Sequence, residues 1–398
     1  MPLSTTSVAP LLQLATAAES RPAPGLVFHA VDKTGKTIAS TESGVREVGQ
    51  DEKVTQDSVF WIASCSKLST SIALMQLAES GKVDIDDPSL VEKTLPEVWS
   101  AKVVDGKWGN LVPRVGDITL RLLLTHQAGF SYTFTWDDYW KSIGEDETKD
   151  EFNGKIEGLM QPLKFQPGTD REYSIGIDWC GIFIERFTGL KLGEYMRQNI
   201  FEPCGLVSTS FEPTEDMRSR LVSMHARDAD GNLVTRKHLN AIGNGPVDYD
   251  YLHSGGAGIF STAQDYCKIL SALLNNGTNP TTGKQILKPE TVDQMFTNQV
   301  PDYETKYAGM GAPICRFDLA EKILQQNQKL EGPQGWGLSF ALAGPNLNMG
   351  NAPGICNCFW VIDRDLGVAG MLMSQFLPLG DATVFGTWLQ VMGELYKP

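Results

Sequence analysis

Ser64 and Lys67 are separated by two residues in Ser64-Cys65-Ser66-Lys67, where a strand-like stretch gives way to a helical pattern. That spacing is close to one helical turn, so the Lys67 amine can lie beside the Ser64 hydroxyl. A serine hydroxyl is a weak nucleophile and needs such a neighbour to take its proton. A helix N-terminus adds backbone N–H groups and a positive dipole end where an acyl oxyanion would form. The chemistry on offer is acyl transfer through a serine ester. Taken alone, the same four residues read first as an N-capping serine followed by a surface lysine.

The elements around this pair follow from hydrophobic pattern. Val59 to Ile62 is apolar and strand-like, and Leu68, Ile72 and Met75, with Leu74 and Ala78 beside them, recur at helical spacing until Gly81. That helix is apolar around much of its circumference, which predicts a place in the centre of the molecule. Gly25 to Ser43 reads as a hairpin turning at Asp32-Lys33-Thr34-Gly35. From Asp84 to about Asn240, helical patterns alternate with Gly/Pro punctuation such as Gln166-Pro167-Gly168-Thr169. The acidic run Glu145 to Glu151 reads as a solvated surface excursion. A helical run from Ala263 to Asn275 precedes two antiparallel strands, Phe359 to Ile362 and Gly367 to Ser374, joined around Asp363-Arg364-Asp365. Strands at both ends with helices between predict an α+β fold of two domains. The sheet domain takes residues 1–83 and 241–398, and a mainly helical insertion takes residues 84–240.

Composition narrows the function. The 398 residues carry 34 basic and 48 acidic side chains, a net charge of −14. That argues against nucleic acid and anionic lipid as partners. No apolar run approaches the roughly 18 residues that would span a bilayer. Seven cysteines form no C-x-x-C pair and five histidines no H-E-x-x-H, so neither a metal nor another cofactor is expected. Val8 to Ala18 resembles the apolar stretch of a secretory signal, but no Lys or Arg precedes Arg21, and Pro10 and Gln13 interrupt it. It is read as an opening helix, and the protein as cytoplasmic with reduced thiols.

Longer segments carry a family resemblance. Phe60 to Leu68 resembles the nucleophile motif of the serine β-lactamase and penicillin-binding-protein superfamily. Leu122 to Phe130 (LLLTHQAGF) is similar to the L-L-T-H-T-S-G-L segment of its class C β-lactamases and family VIII carboxylesterases. Gln166 to Ser174 matches P-G-x-x-x-x-Y-S, Leu192 to Phe211 the E-Y…I-F-x-P-L-G-M region, and Gly255 to Tyr266 the G-G-G-G-L-x-S-T-A-x-D-Y segment. The matches fall in the family's order from about residue 24 to the C-terminus. The resemblance implies a β-lactamase-like fold, with a central antiparallel sheet flanked by helices. It also implies a serine acyl-enzyme mechanism in which Tyr173 relays protons for Ser64 and Lys67.

Departures from the pattern point to one branch. β-Lactam-active relatives have an asparagine two residues after the tyrosine, where this chain has Ile175. Their K-T-G or H-x-G motif falls here on Ala352-Pro353-Gly354-Ile355, which has no side chain to bind a carboxylate. The N–H of Ile355 remains to form an oxyanion hole with that of Ser64, and Gly354 lets a substrate approach the strand. Tyr173 followed by Ile177-Asp178-Trp179, and the strand Trp360-Val361-Ile362-Asp363, are similar to the fungal lovastatin acyltransferase type. What this implies is transfer of an acyl group from a thioester or ester to an alcohol of a fused-ring natural product. An acyl-carrier protein or free acyl thioester would be the donor.

Phe130 to Trp140 holds six aromatics in eleven residues. Phe130, Tyr132, Phe134 and Trp136 are therefore candidates for a substrate wall, with Ile175 and Trp336, against the alternative that they pack the helical domain. His126 and His253 are read as hydrogen-bonded structural histidines, and Cys65 as a core residue. Plain carboxylesterase activity, residual β-lactamase or D,D-peptidase action, and a repurposed fold with another pathway reaction or only a binding role are the alternatives.

Overall fold

The computed structural model describes residues 3–17, 22–228, 230–303, 313–325 and 332–397. Helices used below are α1 (Thr5–Thr16), α2 (Ser66–Glu79), α3 (Leu120–Leu124), α4 (Gly176–Thr188), α5 (Ala263–Leu274) and α6 (Ala382–Leu395). Strands are β1 (Gly25–Asp32), β2 (Thr37–Gly44), β3 (Phe60–Trp61), β4 (Phe260–Ser261), β5 (Gly335–Trp336), β6 (Ala341–Ala343), β7 (Met349–Gly354), β8 (Cys358–Asp363) and β9 (Val368–Met373).

Seven strands form one sheet in the order β2-β1-β9-β8-β7-β6-β5, each pair antiparallel. Chain ends meet at its centre, where Val27 of β1 pairs with Met373 of β9. Strands β8 and β9 are buried at every residue, because helices cover both faces and leave no position for an exposed polar alternation. On one face Phe359 stacks on Trp388 of α6 at 5.6 Å, while its neighbour Trp360 packs edge-on against Phe340 at 5.5 Å. The opening stretch is helical: Ser4 caps α1 by accepting from the Ser7 N–H, and the helix packs against β2 and α6.

The hairpin read from Gly25 to Ser43 is β1–β2, with a register shift between Ala30 and Val31. The pair read after residue 358 is β8–β9. Helix α2 is buried along most of its length, including Lys67, Ser69, Thr70 and Ser71. The segment between α2 and β4 contributes most of the helices and one-turn elements.

The acidic run corrects the sequence reading. Glu145, Glu147 and Lys149 are exposed, but Asp150 and Glu151 are buried at 2% and 5% exposure. Asp150 pairs with Arg316 at 3.2 Å, and Glu151 accepts from the backbone N–H and hydroxyl of Thr133. A carboxyl group is buried only where partners replace water, and Arg316 lies 166 residues from Asp150.

Candidate active site

Strand β3 delivers the chain to Ser64 through a strained corner. Ala63 has φ of +46°, a left-handed conformation costly for a residue with a Cβ. Ala63 to Cys65 then form a single tight helical turn from which α2 departs. The corner is clamped on several sides. Gln375 Oε1 accepts from the Trp61 N–H at 2.7 Å, Tyr266 donates to the Cys65 carbonyl at 2.8 Å, and Ser66 Oγ accepts from the Ile259 N–H at 3.0 Å. Ser64 is left partly exposed, and Lys67 is 2% exposed.

Lys67 Nζ donates to Ser64 Oγ at 3.1 Å, to the Tyr132 hydroxyl at 2.7 Å and to the Gly256 carbonyl at 2.8 Å. Lys67 Nζ is thus held within hydrogen-bond reach of three oxygens at once, one of them the Ser64 hydroxyl. Its charge also sits over the Tyr173 ring, 4.9 Å from the centroid. Tyr132 hydrogen-bonds Ser64 as well, and burial pushes its phenol well up, with Asp178 and Tyr173 acting in the same direction.

Tyr173, in the loop before α4, stacks on Tyr132 at 5.5 Å and lies beside His126 and Trp336 at 4.5 and 6.3 Å between ring centroids. His126 is fully buried, and its Nδ1 accepts from the Ser174 N–H at 3.1 Å. Burial, with Arg171 and Lys67 nearby, holds its imidazole well below the usual range and therefore neutral. Arg171 lies flat on Trp336 at 4.0 Å, making a cationic rim to the same group.

Opposite Ser64 is the end of β7. Strand β6 pairs with β7 only through Met349, Gly350 and Asn351. Among the described residues, Ala352, Pro353 and Gly354 therefore pair with β8 alone and leave an open side. Pro353, with no N–H to give, suits such a side. Gly354 presses against the nucleophile corner so closely that a Cβ there would lie 2.5 Å from the Ile62 carbonyl oxygen. The Ile355-Cys356-Asn357 turn is pinned by Asn357, which donates to Phe376 O and Pro378 O at 2.9 and 2.8 Å and accepts from the Gly380 N–H. The N–H groups of Ser64 and Ile355 thus belong to two abutting backbone corners.

The structure divides the remaining sequence candidates. Tyr132 joins the Ser64–Lys67 pair, and Phe134 stacks behind it at 5.0 Å. Trp336 borders Tyr173, and Ile175 is fully buried at the start of α4. Phe130 packs on Trp179 at 6.4 Å and lines a separate cavity of about 320 Å³ with Leu159 and Gln161. Trp136 packs on Trp108 and Tyr139. His253 stacks on Phe211 and bonds Glu212, and Cys65 is buried in the core, with burial holding its thiol well up. Asp178 and Asn357 were not singled out from sequence. The Tyr173-to-Asp178 spacing was noted there, but only the contact with residue 256 gives the aspartate meaning.

Comparison with known proteins identifies the family. The family model described as Beta-lactamase matches residues 14–387. A lovastatin esterase from Penicillium rubens is 33% identical over 309 residues, 74% of each chain. A monacolin J acid methylbutanoyltransferase from Aspergillus terreus is 33% identical over 92% of this chain and 89% of its own. The solved structure of unliganded simvastatin synthase from Aspergillus terreus superposes with a TM-score of 0.78 at 28% identity, covering 98% of both chains. The chain belongs to the Beta-lactamase family, as a serine enzyme of its acyltransferase and esterase branch.

Proposed function

We propose that Ser64 is the nucleophile of an acyltransferase that moves an acyl group from a thioester or ester to an alcohol of a secondary-metabolite-like substrate. The observation that carries this reading is the Lys67 ammonium, bonded at once to Ser64 Oγ, the Tyr132 hydroxyl and the Gly256 carbonyl. In this reading Lys67 positions the Ser64 hydroxyl, and the proton of Ser64 passes to a phenol oxygen. Tyr173 is assigned this base role from its place in the family's P-G-x-x-x-x-Y-S segment and its position beside Lys67. Tyr132 stays protonated and holds the lysine.

Ser64 Oγ bonds the acyl carbon, and the N–H groups of Ser64 and Ile355 receive the tetrahedral oxyanion. Collapse breaks the carbonyl–sulfur or carbonyl–oxygen bond, and the leaving thiol or alcohol takes the proton from Tyr173. The acceptor alcohol then gives its proton to Tyr173 as its oxygen bonds the acyl carbon, and collapse breaks the Ser64 Oγ–acyl bond, with Tyr173 returning the proton to Ser64 Oγ. The open side of Ala352 to Gly354, with Phe134 and Trp336, bounds the substrate space. Donors are small acyl thioesters, free or presented on an acyl-carrier protein. The cytosol is the assigned compartment, supported by seven cysteines outside any disulfide.

Hydrolysis of the same acyl-enzyme is the second reading, favoured by the resemblance to the lovastatin esterase. Intact-protein mass spectrometry after incubation with short acyl thioesters and p-nitrophenyl esters should show one acyl adduct, lost in Ser64→Ala. Full activity in Ser64→Ala would sink the proposal. Adding an acceptor alcohol and following its partition against water separates transfer from hydrolysis.

A further inference from the structure

We propose that Asp178 is a positioning residue for acyl transfer: through the Gly256 segment, its carboxylate supplies the countercharge that holds Lys67 as an ammonium against Ser64. The inference rests on the reading of Ser64 as nucleophile and extends it to a residue that touches no substrate.

Lys67 is almost wholly buried, and among the described residues its three partners are two hydroxyls and a carbonyl, none of them a carboxylate. A buried cation needs a compensating charge nearby. Asp178, in the first turn of α4 and 3% exposed, is placed to give it. Its Oδ1 accepts from the Gly256 N–H at 3.0 Å and from the Ser254 hydroxyl. Gly256 in turn presents its carbonyl to Lys67 at 2.8 Å. Residue 256 is thus gripped by the carboxylate on one side and the ammonium on the other. Only glycine fits there, because a Cβ would overlap the Asp178 carboxylate.

The charged and titratable groups around Asp178 form one set. Lys67 comes from α2, Tyr132 from the segment before α4 and Cys180 from α4 itself, while Tyr173 and Glu151 act on Tyr132, and His126 lies beside the lysine. Burial pushes the Asp178 carboxyl up, opposed first by Lys67 and then by the Ser254 and Gly256 hydrogen bonds. Only the carboxylate balances the ammonium, so acylation should fall as pH drops through this raised value.

The test uses the full-length protein and a p-nitrophenyl ester. The Ser64 adduct is verified first, and then the pH profile of acylation is measured. Asp178→Asn keeps the shape and the acceptor for the Gly256 N–H while removing the charge. It should slow acylation by about tenfold or more, with KM little changed and the acid limb flattened. Ser254→Ala removes a bond that favours the carboxylate, and should move the acid limb to higher pH. Wild-type rates and limbs in both variants would overturn the inference and leave a structural peg. Should Asp178→Asn fail to fold, the Ser254→Ala limb decides alone: a shift upward supports the countercharge, and an unmoved limb refutes it. A wild-type chain that never acylates Ser64 refutes the site reading itself, and this inference with it.

Discussion

Two phenols approach Lys67, and they do so differently. Tyr132 offers its oxygen at 2.7 Å, whereas Tyr173 offers its ring face at 4.9 Å. The difference makes a prediction for paired variants. Tyr173→Phe removes the proposed base and should slow acylation by on the order of a hundredfold or more. Tyr132→Phe keeps the ring packing against Phe134 and Tyr173 but leaves one N–H of the buried Lys67 without its partner, and should slow acylation and cost about 1–3 kcal/mol of stability. A stopped-flow p-nitrophenolate burst measures both, and equal, near-native bursts would contradict the assignment. The same scale explains a predicted lack of β-lactam turnover. Ile175 is buried and apolar, and Ala352 sits in β7 opposite Trp360. Neither binds the amide or carboxylate of a penicillin-type acid. A chromogenic cephalosporin should be consumed no faster than in the absence of enzyme.

At the scale of elements, the site is a meeting of corners: the strained turn into α2, the pinned turn after β7, and the start of α4. Their closeness depends on glycines. Gly354→Ala would place a Cβ 2.5 Å from the Ile62 carbonyl oxygen and 3.3 Å from Cys65 Sγ, so the end of β7 must retreat from Ser64. The expected cost in stability is about 1–3 kcal/mol from overpacking. Because the Ile355 N–H retreats too, acylation should fall further than the melt alone accounts for. A Gly354→Ala enzyme with native burst kinetics would place the oxyanion site elsewhere. These elements were unequally legible in sequence. Ser64 and Lys67 share one helical turn, so their approach follows from local geometry. Strands β8 and β9 are a short hairpin of continuous apolar residues, equally local. Tyr132 bonds a lysine 65 residues away, and nothing in the pattern separates it from Phe130, Phe134 or Trp136. Asp178 matters only because the chain returns at Gly256, 78 residues later.

The whole molecule shows why charge is harder to read than hydrophobicity. The net charge of −14 places acidic residues mostly where water solvates them, and Glu145 to Glu151 looks like more of the same. Instead, its last two residues turn inward: Asp150 engages Arg316, and Glu151 fastens Thr133, the residue next to Tyr132. Burial raises both inner carboxyls, Asp150 to about 7 and Glu151 to about 8. The folded state therefore holds a proton that the unfolded chain releases near about pH 4–5. Below that range both states are protonated and folding is not opposed. As pH rises toward the folded values, the unfolded state gains by releasing its proton first, and stability is lost. Glu151→Gln keeps an acceptor for Thr133 and carries no proton to release. Its melting temperature should match the wild type near about pH 4 and exceed it progressively toward about pH 8. Melts across that interval measure the gap. A constant offset at every pH would show that Glu151 titrates alike in both states, and a wild type gaining on the variant as pH rises would show that the Thr133 bonds, rather than burial, govern it.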